Sequence, residues 1–400
     1  EVRRQETLRE HFVAVLNRAA ERGTPIAPGD LLDLAADPNL LGAFGDPDMH
    51  SALQLALADL FAQRDDYQRA IDLLDALDAA LATVPERTRA KAAVIRAMSL
   101  LRLGRIDEAE TWIVQAEQGM TPSQRDGGML PADLGVLRAQ LLRARGDLSA
   151  TATAARAAAD LALAATDGTA LARGRLIGSA ATSLLMVGDL DGAIALTERA
   201  DQVWREAGIS SNTSSRINAA NRANALFLRG DLLSALSAFE QIDASTEATE
   251  SPPARAARDL THAKLLALLD RADDALALAD HAVRTMCDSL GTASIQCQHA
   301  RLATIDTRYY AGQPTQARAE LARVGDAFAA QAPLAAAVAA LERVVALQLA
   351  PDEAALVAVI DRLVENAKAG AMPRRNAVRT LLMLAEQFER RSRPDEARRL

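Results

Sequence analysis

The segment Val187-Gly188-Asp189-Leu190-Asp191-Gly192-Ala193 has the features of a tight turn between two helices. Glycine can end the first helix at position 188, because a left-handed C-terminal cap needs a positive φ. Asp189 follows where its side chain can cap the second helix. Ala193 falls where the two helices would cross, and a larger side chain there would separate them. The segment therefore predicts a helical hairpin.

The same pattern recurs along the chain at a nearly fixed spacing. Further clear copies occupy residues 64–70, 103–109, 145–150 and 229–235, with Ala70, Ala109, Ala150 and Ala235 as their last residues, and weaker copies end at Ala275, Ala317, Ala354 and Ala397. The steps between the terminal alanines run from 37 to 43 residues, which gives a period near 41 over nine copies. A fixed period of this length is typical of repeat proteins, so we expect eight or nine stacked hairpins.

The turn G-x-[YLI]-x-x-A resembles that of tetratricopeptide (TPR) repeat proteins. The usual TPR unit has about 34 residues, so this chain needs longer helices or loops. One hairpin cannot bury its apolar face alone, so the units must stack. The predicted fold class is all-α, a right-handed superhelical solenoid of TPR-like hairpins over residues 25–400, and another helical-hairpin solenoid such as a HEAT array is the alternative.

Composition supports a helical chain and excludes some partners. Of the 400 residues, 50% are apolar but only 3% are aromatic, and Ala, Leu, Arg and Glu favour helices. The net charge is −8, which disfavours binding to nucleic acid or to an anionic membrane surface. No apolar run approaches the roughly 18 residues of a membrane span. The sequence lacks H-E-x-x-H, G-x-S-x-G and Walker A patterns and kinase motifs, so we expect a non-catalytic segment without a cofactor.

The N-terminal segment is predicted to be a separate element. Residues 1–24 form an amphipathic helix of the juxtamembrane type, because apolar residues occur at helical spacing. A Pro-containing break then precedes the repeats. The apolar residues are Leu8, Phe12, Val15, Leu16 and Ala19.

The order of motifs near the N-terminus is similar to the membrane-distal half of bacterial receptor-type serine/threonine protein kinases. The motifs are Arg9-Glu10-His11-Phe12, Asp30-Leu31-Leu32-Asp33-Leu34-Ala35, Phe44, Asp46-Pro47 and the turn at Asp65. In that family a cytoplasmic kinase domain is followed by one membrane span and then by TPR repeats outside the inner membrane.

The resemblance implies a ligand- or protein-binding sensor domain that is periplasmic and tethered to the inner membrane by a span N-terminal to this chain. It implies a protein or peptide ligand, and it is compatible with a small-molecule ligand and with a homodimer. The alternative is a cytoplasmic TPR protein-interaction arm of a transcription regulator or scaffold.

The two cysteines form a candidate bridge. Cys287 should end one second helix, and Cys297 should lie in the first turns of the next helix. A disulfide between them is our expectation. Two unpaired core thiols remain an alternative, as does a metal site with His281 and His299, although their spacing matches no familiar zinc module.

A row of polar residues predicts where a ligand binds. The position six residues before the turn glycine or its equivalent holds Asp59, Met98, Gln140, Thr182, Asn224, Lys264, Asp306 and Glu386. Seven of these eight are polar inside otherwise apolar helices. Seven residues earlier, on the same face, stand Lys91, Asp133, Arg175 and His299.

TPR arrays bind with the concave face, so the row predicts a ligand groove. The candidate groove residues are Gln140, Arg175, Thr182, Asn221, Asn224, Lys264 and Asp306. Asn224-Ala225-Leu226-Phe227 resembles the N-x-x-F of TPR domains that clamp peptide carboxylates. The clamp Lys/Arg set does not recur in register, so a terminal carboxylate is not implied. The alternative is that these residues are only solvated on an unused face.

Overall fold

A computed structural model describes most of the repeat region. The described residues are 13–15, 17–18, 28–41, 47–63, 66–78, 86–125, 127–209, 212–244, 251–328 and 394–399, with single positions at 361, 365, 385 and 389. Within these ranges the regular structure is helical and contains no strand. The predicted all-α fold class is confirmed. Most of the N-terminal segment, Glu386 and the hairpin around Ala354 lie outside the described residues.

The described helices follow one another in pairs joined by short turns. Two short helices, α1 (Pro28–Ala35) and α2 (Pro38–Leu41), precede the pairs. The first two pairs are α3 (Pro47–Gln63) with α4 (Tyr67–Asp78), and α5 (Glu86–Arg102) with α6 (Ile106–Gln118). The one-turn helix α7 (Pro122–Arg125) follows them and belongs to no pair. The remaining pairs are α8 (Leu130–Ala144) with α9 (Leu148–Ala164), α10 (Ala170–Val187) with α11 (Leu190–Glu206), α12 (Thr213–Arg229) with α13 (Leu232–Ala244), α14 (Pro252–Leu268) with α15 (Ala272–Leu290), and α16 (Ile295–Tyr310) with α17 (Pro314–Phe328). A last described helix, α18, spans Pro394–Arg399.

The turns are built as their sequence predicts. Gly188 has φ 85° and its N–H bonds to the end of α10, while the Asp189 carboxylate accepts a 3.1 Å hydrogen bond from the Gly192 N–H. Ala193 is 1% exposed at the helix crossing. The sixth turn has Asp270 at φ 59° in place of glycine, a conformation that Asp tolerates better than most residues. Glycines with positive φ occupy the same place in the second, third, fifth and seventh turns, at Gly104, Gly146, Gly230 and Gly312.

The third turn corrects our alignment. The buried residue at the crossing stands five positions after the turn glycine, so the third pair uses Thr151 rather than Ala150. Thr151 is fully buried, and its hydroxyl donates a 2.6 Å hydrogen bond to the Asp147 carbonyl. A small β-branched residue fits here because its polar atom is satisfied within its own helix.

The chain divides into two compact units, Glu1–Ala225 and Leu226–Leu400. In the first unit, side chains of α5 and α6 pack against Leu134, Leu137 and Leu141 of α8. In the second unit, Leu260 of α14, Met286 of α15 and neighbouring residues share one buried cluster with Ala300 of α16. Each large side chain buried in this way contributes about 1.5–3 kcal/mol. The cores therefore lie between consecutive helices, as stacking requires.

Small residues allow some helices to approach closely. The Trp204 indole of α11 lies against Gly174 of α10, where an added Cβ would collide with the ring. An added Cβ at Gly135 of α8 would lie 2.8 Å from the Ala158 Cβ of α9. These glycines fix the distance between the first and second helices of the third and fourth pairs.

Candidate functional site

One face of the first helices carries the predicted site residues. Positions 13, 10, 9, 6, 3 and 2 before the turn residue fall at helical spacing, and we call this face the polar stripe. In the first unit it runs along α3, α5, α8, α10 and α12, and in the second along α14 and α16. The first helices α8 and α10 contact each other, as do α14 and α16.

Direct contacts join the stripe of one first helix to that of the next. In the first unit the Arg175 guanidinium is 3.8 Å from the Asp133 carboxylate. The Asn221 side-chain N–H donates a 2.9 Å hydrogen bond to the Thr182 hydroxyl. In the second unit the Lys264 ammonium is 2.6 Å from the Asp306 carboxylate. The stripe is therefore continuous from one first helix to the next within each unit.

The amide side chains of the first unit and the Thr182 hydroxyl are half-buried on this stripe. Gln140, Thr182, Asn221 and Asn224 are all of intermediate exposure. Within the part of the chain that the structure describes, the Gln140 and Asn224 side chains make no hydrogen bond. Each carboxamide thus has a donor and an acceptor available to a ligand.

A hydrogen-bond network orients Asn221. The Thr182 hydroxyl donates to the Gly178 carbonyl at 2.9 Å and accepts from Asn221. One turn earlier, the buried Asn218 donates to the Thr197 carbonyl and to the Asp201 carboxylate, at 2.8 and 2.7 Å. Asn218 therefore fixes α12 from below the stripe, while Asn221 faces α10 across it.

Asp133 is the most perturbed acid of the stripe. Burial raises its pKa to about 6, although the charges of Arg175 and Lys91 act in the opposite direction. The negative charges of Asp59 and Asp167 add to the increase. The side chain keeps 27% exposure, but surrounding protein replaces much of its hydration. Asp133 is therefore largely ionised at pH 7 and largely neutral at pH 5.

Two exposed apolar side chains of the first unit belong to the same stripe and were not predicted. Ile217 is 57% exposed and stands on α12 in the register of Arg175. Met186 is 54% exposed near the end of α10. An apolar residue in a helix is usually read as core, so the pattern gave no signal for either. Comparison with Lys91, Asp133 and Arg175 in the same register could have found Ile217.

In the second unit the predicted groove residues neutralise each other. The side chains of Lys264 and Asp306 are only 14% and 10% exposed and form an ion pair. Lys264 also lies over the Tyr310 ring, 5.9 Å from its centroid. This geometry suits a packing role, and the contact of these two residues with a ligand stays a prediction.

A buried charge cluster near the start of α14 escaped the sequence analysis. The Arg258 guanidinium contacts the Asp243 and Asp259 carboxylates at 3.0 and 3.2 Å. Burial raises the pKa of Asp259, whereas for Asp243 burial is outweighed by His262 and Arg258, which lower its pKa. The His262 ring stacks on Phe239 with 5.1 Å between centroids. Phe239, Arg258, Asp259 and His262 are buried, whereas the Asp243 side chain is 38% exposed at the edge of the cluster. This arrangement suits a structural role.

The cysteines meet where α15 ends and α16 begins. A disulfide joins Cys287 to Cys297, with 4.8 Å between their Cα atoms. Ser294 caps α16 by accepting a 3.2 Å hydrogen bond from the Cys297 N–H. Oxidation in solution stays a prediction.

No protein-family model matches this sequence, and no curated protein matches it either. Several solved structures share its architecture. The apo form of RapI aligns with a TM-score of 0.60 at 11% identity, over 87% of this chain and 97% of its own. A Rap protein complexed with Competence and Sporulation Factor aligns with a TM-score of 0.59 at 12% identity, over 87% of this chain and 94% of its own. The apo quorum sensor NprR from B. thuringiensis aligns with a TM-score of 0.53 at 11% identity, over 99% of this chain and 97% of its own.

Likeness at such low identity concerns the fold, and it shows that this chain has the architecture of TPR-like helical repeat proteins. The handedness of the superhelix stays a prediction. Every helix within the described ranges is too short or too polar to cross a lipid bilayer.

Proposed function

We propose that this chain is a peptide- or protein-binding module of a signalling protein, and that its ligand lies across the polar stripe of the first unit. The observation that carries this proposal is the row Gln140, Thr182, Asn221 and Asn224. Its amides are half-exposed, and those of Gln140 and Asn224 have no hydrogen-bond partner among the described residues. Such groups are rare inside helices that are otherwise apolar.

An extended peptide suits this row chemically. A carboxamide can donate to a peptide carbonyl and accept from a peptide N–H at the same time. Neighbouring helices lie about 8–10 Å apart, so a peptide crossing from α8 to α12 needs about six residues. Each hydrogen bond adds about 0.5–1.5 kcal/mol net.

Two settings fit a signalling module. Among proteins of similar fold, a Rap protein was solved with Competence and Sporulation Factor, and NprR is a quorum sensor. These neighbours favour the arm of a signal-dependent regulator. The second candidate is the sensor of a receptor kinase, which rests on the N-terminal motifs. The residues encoded before Glu1 separate them, since a kinase with an apolar span of about 20 residues there supports the sensor.

Selection from a displayed random peptide library tests the site. Resynthesised peptides should bind the Asn224→Ala variant about 3- to 10-fold more weakly, and the Asn221→Ala, Asn224→Ala double variant more weakly still. Gln115→Ala is the matched control, because Gln115 is an exposed amide on the second helix α6. Its affinity for the peptides should be unchanged.

Thermal melting of the same samples decides how a loss is interpreted. Unchanged peptide binding with unchanged melting in the double variant would exclude the stripe as the site. A large fall in melting temperature would instead show that these amides support the fold.

A further inference from the structure

Arg175 is loosely held for an arginine beside a carboxylate. Its guanidinium is 3.8 Å from Asp133, the side chain is 46% exposed, and it makes no hydrogen bond to any described residue. By contrast, Arg138 makes two charge-assisted hydrogen bonds to Glu117, at 2.6 and 2.5 Å. The donors of Arg175 therefore remain available for a better-placed anion.

Further cations lie on the stripe of the first unit. Arg102 and Arg143 stand in the last turns of α5 and α8, and neither forms an ion pair among the described residues. Cations at these helix ends also interact favourably with the helix dipole. With Lys91 and Arg175 they outnumber Asp59 and Asp133, so this stripe is positive on a chain whose net charge is −8.

The next helix offers an apolar contact in the same register. Ile217 stands on α12 at the position that Arg175 has on α10, and more than half of its surface is exposed. Adjacent helices are about 8–10 Å apart, and an extended chain advances about 3.3 Å per residue. Ligand residues two or three apart would therefore lie over Arg175 and Ile217.

We propose that the polar stripe of the first unit binds an extended acidic peptide, in which one side-chain carboxylate replaces Asp133 on Arg175 and an apolar side chain lies on Ile217. The proposal rests on the proposed function and adds the class of ligand. Asp133 acts in the free protein as an internal substitute for the ligand carboxylate. A nucleic acid is disfavoured because a chain with a net charge of −8 repels a polyanion beyond the stripe.

Positional peptide pools test the ligand class. We would measure fluorescence anisotropy with labelled, C-terminally amidated hexapeptide pools that carry Glu, Gln or Lys at one fixed position. Glu pools should bind about tenfold more tightly than Gln pools for at least one fixed position, as a charge-assisted hydrogen bond predicts. Arg175→Gln should abolish that difference. Arg205→Gln, an exposed arginine on the second helix α11, should preserve it.

The role of Asp133 gives an independent readout. Asp133→Asn should strengthen Glu-pool binding at pH 7.5 by roughly 3- to 10-fold, because the competing carboxylate is gone. In the unchanged protein, binding should strengthen as the pH falls from 7.5 to 5.5, since Asp133 takes up a proton while peptide Glu, with a pKa of about 4.3, stays ionised. The charges facing Asp133 are Arg175 on α10, Lys91 on α5, Asp59 on α3 and Asp167 before α10. The Asp133→Asn variant should lack this pH dependence.

The possible failures are distinguishable. Pools that bind the stripe without preferring Glu overturn the acidic class but leave the proposed function standing. Binding that needs a free carboxyl terminus overturns the side-chain assignment. A labelled single-stranded DNA 20-mer that binds more tightly than the Glu pools, and is lost in Arg175→Gln, overturns the peptide. Absence of any peptide binding that depends on the stripe overturns both proposals.

Discussion

At the scale of single residues, Asp133 links stability to pH. Its pKa is raised to about 6 by burial, so the native state holds the proton more tightly than the unfolded chain does. Its contribution to stability is therefore complete below about pH 4 and is lost as the pH rises to about 6. The shift corresponds to at most roughly 3 kcal/mol.

We expect Asp133→Asn to be stabilised relative to the unchanged protein at pH 7.5, by roughly 1–3 kcal/mol. At pH 4.5 the difference should shrink towards zero. Urea unfolding at both pH values measures it, and Asp160→Asn, an exposed acid on α9, is the control. A difference that is equal at the two pH values would contradict the raised pKa.

The ion pair between Lys264 and Asp306 should contribute to the stability of the second unit. Both side chains are largely buried and 2.6 Å apart. Lys264→Met should destabilise the protein by about 3–5 kcal/mol, because the Asp306 carboxylate loses the Lys264 ammonium in a poorly hydrated place. The double variant Lys264→Met, Asp306→Leu should recover most of the loss. Urea unfolding checks both, and a single variant as stable as the starting protein would contradict the packing role of the pair.

At the scale of helices, the approach of α11 to α10 depends on Gly174. A methyl group there would collide with the Trp204 ring, which is 2% exposed and cannot move outward easily. Gly174→Ala should cost about 2–4 kcal/mol despite the better helix propensity of alanine. Gly178→Ala on the same helix is the matched control.

At Gly178 the nearest atom to an added Cβ is the Asn218 side-chain oxygen, at 3.2 Å. A small shift relieves that contact, so Gly178→Ala should change the free energy of unfolding by less than about 1 kcal/mol. Equal effects of the two substitutions would mean that Trp204 does not set the helix spacing.

The link between α15 and α16 gives a further prediction. Cys287 and Cys297 have a Cα separation that suits a disulfide. Reduction should lower the free energy of unfolding by up to about 3 kcal/mol in the chain-entropy estimate. Urea unfolding with and without reductant measures this, and a Cys287→Ser, Cys297→Ser variant should not respond to reductant. Two reactive thiols in unfolded, unreduced protein would refute the bridge.

The helices were predictable where local chemistry decides them. The turn between α10 and α11 formed as predicted, because the roles of Gly188, Asp189 and Ala193 follow from the local sequence alone. Thr151 was missed because the neighbouring Ala150 matches the alanine that ends the other turn motifs. The structure shows that Thr151 is the buried residue.

The stripe was only partly predictable. Polar residues in apolar helices pointed to it, and their register does bring Asp133 beside Arg175. Whether a polar residue faces a ligand or a partner of its own depends on the neighbouring helix. The opposite charges of Lys264 and Asp306, at equivalent places in successive repeats, were the available sign of their pairing.

At the scale of the whole chain, the buried clusters lie within small groups of neighbouring helices. In the second unit, Ile305 of α16 is fully buried with Leu321 and Val324 of α17. Repeat proteins are stabilised mainly by such neighbour contacts. Ile305→Ala should therefore expose α16 and α17 to amide exchange while α8–α10 stay protected, as hydrogen-exchange mass spectrometry can measure. Uniformly faster exchange would indicate a single cooperative unit.

Residues that touch across the stripe are far apart in the chain. Asn221 and Thr182 are 39 residues apart, and Lys264 and Asp306 are 42 apart. Duplication of one repeat would therefore insert one more first helix into the stripe and leave the residues of every other first helix unchanged. Deletion would shorten the stripe in the same way. During evolution, duplication of the gene segment that encodes one repeat could thus change the length of the ligand that is bound. Substitutions within one repeat could change which ligand sequence is preferred.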